Sequence, residues 1–362
     1  MAIVFVLLAA LTVHRLFLAG PSQSETQVIT LSGETMGSTY QVRIAGDGLD
    51  DALRGRAEAL IVKRLAEIDL WFSTWRPDSE ISRFNLQRDT KPFPVGLQTA
   101  DLVARSIELG KRSGGAFDIT VGPLVARWGF GHAAQYASPP SKSEIDDYRS
   151  RMGAGMVNVS GADSVAGRFL QKGDPGVEID LSAIAPGHAA DYLAAGLREL
   201  DRRDFLVDIG GEIYAAGNRP GGGPWRVAIE EPLEDARRVH SVVELSNQGL
   251  ATSGDYRAFY IEDGRRISHT IDPRTGRPID NGMASATVIA LNAATADAWA
   301  TAVMVLGPRD GLALTEQWNL PSMTLSRTND GGLREQRNAL FPEPVVPAGK
   351  AILDASPSES TP

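Results

Sequence analysis

The run Phe205-Leu-Val-Asp-Ile209, Gly210-Gly211, Glu212-Ile-Tyr-Ala-Ala216 sets two stretches of strand-forming residues on either side of a glycine pair. β-branched and aromatic residues favour extended chain, and two glycines can close a tight turn, so the run predicts strand, turn, strand. Downstream, Trp225–Glu230 and Val239–Leu245 add further strands. Upstream, Val28-Ile-Thr-Leu-Ser32 and Tyr40-Gln-Val-Arg-Ile44 alternate as strands do, around a turn-like Gly33-Glu-Thr-Met-Gly37. Helical spacing runs over Leu53–Phe72, and again from about Thr99 to Arg112, where Gly114-Gly115 stops it. A short helix is predicted near Ser143–Met152, within an otherwise loop-rich Gly131–Asp174. Leu181–Leu200 reads as a loop entering a helix, and Ala293–Leu306 as strongly helical before Gly307-Pro308. Strands and helices alternate at irregular intervals without an internal repeat. The expected class is therefore α+β, mixed sheets with flanking helices, rather than a regular doubly wound sheet.

The chain has 362 residues, 43% of them hydrophobic, enough for a sizeable core in one large domain or two closely joined ones. A net charge of −9 argues against a general nucleic-acid binder, and Arg202-Arg203 and Arg237-Arg238 read as solvated surface. The absence of cysteine excludes disulfides, thiolate nucleophiles, Cys-ligated zinc, iron–sulfur clusters and a lipid-modified cysteine. Met1–Val13 is apolar except for Thr12, and His14-Arg15 interrupt what would otherwise be a membrane span. Residues 1–20 are thus expected to be a signal peptide or an N-terminal anchor, with 21–27 a linker and the protein periplasmic. The domain is expected over 28–341, and the Pro-, Ser- and Ala-rich 342–362 as a disordered tail.

No Walker loop is present, no Gly-x-Gly-x-x-Gly follows a strand, and there is no Gly-x-Ser-x-Gly elbow. Histidines 14, 132, 188, 240 and 269 lack metal-ligand spacing, which leaves open a hard-cation site built from oxygen ligands. Asp297 and Thr301 stand four apart in Ala293-Ala-Thr-Ala-Asp-Ala-Trp-Ala-Thr-Ala-Val303, so a helix puts them on one face, where they suit Mg²⁺. A carboxylate near a helix start is also welcome for dipole reasons alone. Ser268–Gly276 gathers an imidazole, a carboxylate and a guanidinium, with His269 the candidate general base. A turn begun at Asp272-Pro273 with His269 merely exposed accounts for the same residues.

Several segments, taken in order, resemble the FAD:protein FMN transferases of the ApbE family. They are Glu34–Tyr40, Asp78–Asn85, Gly114–Gly131, Asp180–Asp191, Val207–Gly211, Ala251–Tyr256, Ser268–Gly276 and Ala294–Thr301. The resemblance spans about Gly33 to Gly332. It implies a flavin-transferase fold with FAD held in a cleft. It also implies Mg²⁺-dependent transfer of FMN from FAD to a threonine or serine of a target flavoprotein, with release of AMP. Implied targets are membrane electron-transfer subunits of Nqr or Rnf type, or regulators of nitrous-oxide respiration. Other implied outcomes are hydrolysis of FAD to FMN and AMP, or FAD binding without catalysis.

Carried over by position, the metal ligands are Asp297, Thr301 and the carbonyls of Ala183 and Ala300. Flavin contacts fall at Met36, Trp75, Ala116, Phe117, Asp118, Asp180, Pro186 and Ile271, and His269 takes the place of a histidine implicated in transfer. Trp75 replaces a common tyrosine, Pro186 a lysine or glutamate, and His188 a tyrosine. Proline offers neither a charge nor an amide donor to FAD.

Overall fold

A computed structural model describes residues 28–346, apart from 132–133, 135–137, 162–166, 235, 257 and 329. The expected export segment, its linker and residues 347–362 of the expected tail lie outside the described residues. Eight strands form one sheet in which spatial order follows chain order. They are β1 (Val28–Thr35), β2 (Ser38–Ala45), β3 (Phe205–Ile209), β4 (Glu212–Ala216), β5 (Gln248–Gly254), β6 (Met283–Ala290), β7 (Ser322–Arg327) and β8 (Leu333–Arg337). Every neighbouring pair is antiparallel. Four longer helices are inserted: α1 (Asp51–Phe72), α2 (Leu97–Arg112), α3 (Ala185–Glu199) and α4 (Ala293–Gln317). The architecture is α+β, as the sequence predicts.

The period of two along each strand divides the side chains between two cores. In β3 and β4, Val207, Ile209, Tyr214 and Ala216 join the core under the helices. Leu206, Ile213 and Ala215 face the opposite way, into a second core. That second core is roofed by the hairpin Trp225–Glu230 and Val239–Leu245, which supplies Trp225, Val227, Ile229, Val243 and Leu245. The sheet is thus covered on both faces at its centre, which is why all eight residues of β6 are buried.

The β1–β2 turn is tighter than the sequence suggests. Strand pairing continues to Thr35↔Ser38, leaving only Met36 and Gly37 between the strands. Both take positive φ, 50° and 69°, the backbone that matches a two-residue hairpin to strand twist. Beyond the sheet, residues 342–346 stay attached to the domain, with Val346 bridging Val242.

α1 starts at Asp50, whose carboxylate accepts from the Leu53 amide at 2.7 Å, and buries Leu53, Ala57, Ile61, Leu65, Ile68 and Phe72. α4 continues past the expected stop at Leu306. Gly307 leaves helical geometry (φ 81°), and Pro308, which needs no amide partner, opens a further helical run. The Asn281 side-chain amide donates to the Met304 carbonyl at 2.9 Å and so satisfies an acceptor that the break exposes. Among the described residues no helix is long and apolar enough to cross a membrane.

Candidate active site

The start of α4 is held from three sides. Asn292 caps it by accepting from the Thr295 amide at 2.8 Å. The Asp191 carboxylate, projecting from α3, accepts from Ala293 N at 2.8 Å and Ala294 N at 3.0 Å. Arg105 of α2 donates to the Asn292 side chain and, at 2.8 Å, to Thr295 Oγ1. α3 lies so close that a Cβ on Gly187 would sit 2.5 Å from the Ala293 carbonyl oxygen. β5 presses on the same point, where a Cβ on Gly249 would meet Ala293 N at 2.3 Å. The fold therefore fixes this helix end, and with it Asp297, one turn further on.

Asp297 is 5% exposed, and its Oδ2 accepts from the Gly187 amide at 3.1 Å. Burial raises its carboxyl well above the usual carboxylate range, the Gly187 N–H draws it back in part, and nearby Asp191 adds to the rise. Burial likewise pushes Asp191 up to about 6, against its two amide donors. Thr301, on the same face of α4, places Oγ1 3.2 Å from Ser253 Oγ at the end of β5.

These groups open on a cleft of about 350 Å³. Asp297, Thr301 and Ala183 line it, as do Met36, Ala116, Phe117, Asp118, Asp180, Pro186, Ile271 and His269. Segments remote in sequence thus meet in one place. The β1–β2 turn brings Met36. The loop after α2, turned by left-handed Gly114 and Gly115, brings Ala116–Asp118. Its path is held by Ser113, whose hydroxyl accepts from Phe117 N at 3.0 Å, and by Asp180, whose amide donates to the Ile119 carbonyl at 2.7 Å. Burial raises the Asp118 carboxyl, while the Thr120 hydroxyl and amide oppose the rise. Pro186 sits in the first turn of α3, where a missing amide costs nothing.

His269 follows a small hairpin, Phe259–Glu262 and Arg265–Ser268. Its Nδ1 is 2.9 Å from the Ala258 carbonyl, and its ring meets the edge of Phe130 at 6.2 Å. A carbonyl only accepts, so in the neutral ring Nδ1 carries the proton and Nε2 the lone pair. Asp272 does not orient this histidine: it is taken by Arg274 in a paired contact, 2.9 Å at each end.

Two expected positions are not brought to the cleft wall. Trp75 follows α1 in a loop and is 74% exposed, its amide held by Ser73 Oγ at 3.2 Å. Ala300 is fully buried inside α4, and helical geometry directs its carbonyl along the axis toward the next turn. His188 also lies off the cleft lining, beside Phe72 and Tyr192. Burial lowers it to about 4, with Arg105 adding to the effect, and its Nε2 has no hydrogen-bond partner among the described residues.

Sequence reading misses Glu212, which lines the cleft, and the anchors Asp191, Gly187 and Arg105. Asp191 lies inside a quoted motif, yet nothing local indicates that a mid-helix carboxylate caps a different helix. The completed cleft has an unusual balance: Asp118, Asp180, Glu212 and Asp297 line it, and among its described lining residues there is no lysine or arginine.

Comparison with known proteins places this geometry. The model of the ApbE family matches residues 36–324. The FAD:protein FMN transferase of Vibrio cholerae is 40% identical over 317 residues, covering 87% of this chain and 92% of that protein. The protein of that name from Escherichia coli K12 is 38% identical over 305 residues, covering 84% and 86%. Among solved structures, the flavin transferase ApbE from Vibrio cholerae superposes with a TM-score of 0.78 at 38% identity, covering 87% of this chain and 98% of that one. The apo flavinyl transferase ApbE of Pseudomonas stutzeri gives 0.76 at 36% identity, covering 87% and 96%.

Proposed function

The chain belongs to the ApbE family, and on that premise we propose that it transfers FMN from FAD to a threonine or serine of another protein, with Mg²⁺ and release of AMP. The observation that carries the metal is the charge of the cleft. Four carboxyl groups line it and, among its described lining residues, no lysine or arginine does, so a pyrophosphate entering alone meets acidic groups in a partly desolvated site. A divalent cation would turn that repulsion into a bridge. Asp297 and Thr301 fit it, with Ala183 close by: all offer hard oxygen donors, and Asp297 is a buried carboxylate without a basic partner among its described hydrogen bonds. When bound, Mg²⁺ supplies charge neutralisation at the phosphate oxygens.

The chain's own residues do the rest. Met36 and Phe117 offer apolar surface to the flavin, and Asp118 and Asp180 offer acceptors for its polar groups. His269 presents Nε2 to the acceptor hydroxyl. The hydroxyl oxygen forms a bond to the FMN phosphorus while the phosphoanhydride bond breaks. AMP leaves with the bridging oxygen and its electron pair, and the hydroxyl proton passes to His269. Positioning supplies most of the acceleration. The apolar segment 1–20 extends the proposal to a periplasmic enzyme acting on a membrane electron-transfer subunit or a respiratory regulator, which osmotic-shock fractionation and target mass mapping can check.

Incubation with FAD, Mg²⁺ and a threonine-bearing acceptor, followed by chromatography for AMP and mass spectrometry of the acceptor, tests the reading. AMP and an FMN adduct are expected together. AMP alone means a hydrolase, and neither product means a flavin binder. His269→Gln should lower transfer by about 10²- to 10⁴-fold, the usual worth of a general base, while FAD binding persists.

A further inference from the structure

Of the segments that carry the family resemblance, Asp78–Asn85 is the one that contributes nothing to the described lining of the cleft. Its hydrogen bonds say what it does instead. It forms most of a short helix, Glu80–Leu86, capped by Ser79. At one end, the Ser79 and Ser82 hydroxyls donate to the Ser73 carbonyl at 2.6 and 3.1 Å, fixing the loop that leads to Trp75. At the other end, Asn85 reaches a residue 94 positions further on. Its Nδ2 donates to the Ile179 carbonyl and its Oδ1 accepts from the Ile179 amide, both at 2.8 Å. One side-chain amide thus gives Ile179 the pair of bonds that a neighbouring antiparallel strand would give. Both backbone polar groups of Ile179 are bonded to Asn85 and, among the described hydrogen bonds, to nothing else.

Asn85 is itself held in place. Buried Lys172 donates to the Asn85 carbonyl at 3.1 Å and to the Gln87 carbonyl at 2.8 Å, satisfying acceptors that the helix end leaves open. Fully buried Ile81 and Phe84 root the same helix in the core.

The segment that Asn85 grips runs directly into the cleft. Asp180 follows Ile179, and its amide donates to the Ile119 carbonyl at 2.7 Å. Its Oδ1 accepts from the Ser182 amide at 2.8 Å and from the Ser182 hydroxyl. Gly122 lies so near that a Cβ there would sit 2.9 Å from Asp180 Cβ. The Ile184 and Ala185 amides then both return to the Leu181 carbonyl, at 3.0 and 2.8 Å, and α3 begins. From Ile179 to Ala185 the chain therefore passes from one restraint to the next. Asp180 and Ala183, two lining residues of the cleft, sit between the Asn85 contact and the first turn of α3.

We infer that Asn85 is a positioning residue for FAD and metal binding: its side-chain amide sets the path of Ile179–Ala183, and so the places of the Asp180 carboxylate and the Ala183 carbonyl. The inference deepens the function proposed above, in which Asp180 meets the flavin and Ala183 stands beside the metal.

Three variants test it. Asn85→Ala removes both bonds to Ile179. Asn85→Asp keeps the acceptor for the Ile179 amide and loses the donor. Ile81→Val trims a buried side chain of the same helix and removes no hydrogen bond. FAD affinity is read by flavin fluorescence on mixing with Mg²⁺, before AMP accumulates. Metal affinity is read by electron paramagnetic resonance of Mn²⁺ added to the FAD-free protein. In Asn85→Ala both affinities should fall about tenfold, as the loss of roughly one net hydrogen bond dictates, and in Asn85→Asp about threefold. Ile81→Val should keep both affinities while its melting temperature drops. At saturating FAD and Mg²⁺ the Asn85 variants should keep kcat within about threefold as KM for FAD rises, the pattern of lost binding rather than lost chemistry. Wild-type affinities in Asn85→Ala overturn the inference. Equal losses in Ile81→Val do so too, because they reduce the effect to stability. Should Asn85→Ala not fold, Asn85→Asp decides by the same criteria. Transfer to a threonine-bearing acceptor is measured separately. Weakened binding in the Asn85 variants, with no AMP or FMN adduct from the wild type, would overturn the transferase function and leave the positioning role standing.

Discussion

Asp297 is the residue on which the proposed chemistry turns, and its burial makes it measurable without turnover. A carboxyl raised above its unfolded value is protonated more readily in the folded state. In the metal-free protein the stabilisation that Asp297 contributes is therefore full at and below the unfolded value and is lost as pH rises through the folded one. Asp297→Asn should flatten that decline. Urea unfolding in EDTA at pH 5 and pH 8 checks it, and an unchanged slope in the variant would place the buried proton elsewhere. His188 makes the opposite case. Its ring is held neutral by burial, lies off the cleft lining, and leaves Nε2 without a partner among the described residues. His188→Phe should leave turnover unchanged and alter stability by less than about 1.5 kcal/mol, as shape-conserving core swaps do. The sequence shows both residues but not their standing. The i,i+4 pairing of Asp297 with Thr301 is legible, whereas helix-dipole preference explains the same carboxylate until burial is known.

At the scale of elements, the contact between α3 and α4 sets the site. Alanine-rich α4 and the small residues of α3 let the helix axes approach, and Gly187 permits the closest point. Gly187→Ala would drive a methyl into the Ala293 carbonyl and loosen the amide that faces Asp297. A loss of about 1–3 kcal/mol is expected from overpacking, with weaker Mg²⁺ binding. Thermal melts and metal titration read the two effects, and a variant with wild-type values for both would show that the helices have slack. The helices and most strands are legible from period and capping. The helical run beyond Gly307 is not, because proline closes one helix as readily as it opens another. The two-residue β1–β2 turn is not legible either, since a methionine with positive φ has no sequence signature.

For the whole molecule, the proposed role of the acid-lined cleft predicts that FAD and Mg²⁺ bind interdependently. FAD alone should raise the melting temperature little and Mg²⁺ alone modestly. With Mg²⁺ saturating, FAD at about a hundred times its dissociation constant should add roughly 2.7 kcal/mol. Equal stabilisation by FAD without metal would remove the bridging argument. The sequence by itself determined the class of elements, the family resemblance and most of the residues now found around the cleft, because period, turn chemistry and ordered motifs are local properties. Tertiary structure alone decided that Asp191 and Arg105 anchor the helix that carries Asp297. It also decided that Trp75 is left exposed and Ala300 enclosed in its helix, and that a second cavity shares Ser38, Gly210 and Thr252 with the cleft. Those facts depend on which segments touch across an antiparallel sheet covered on both faces, and contact between distant segments leaves no period in the chain.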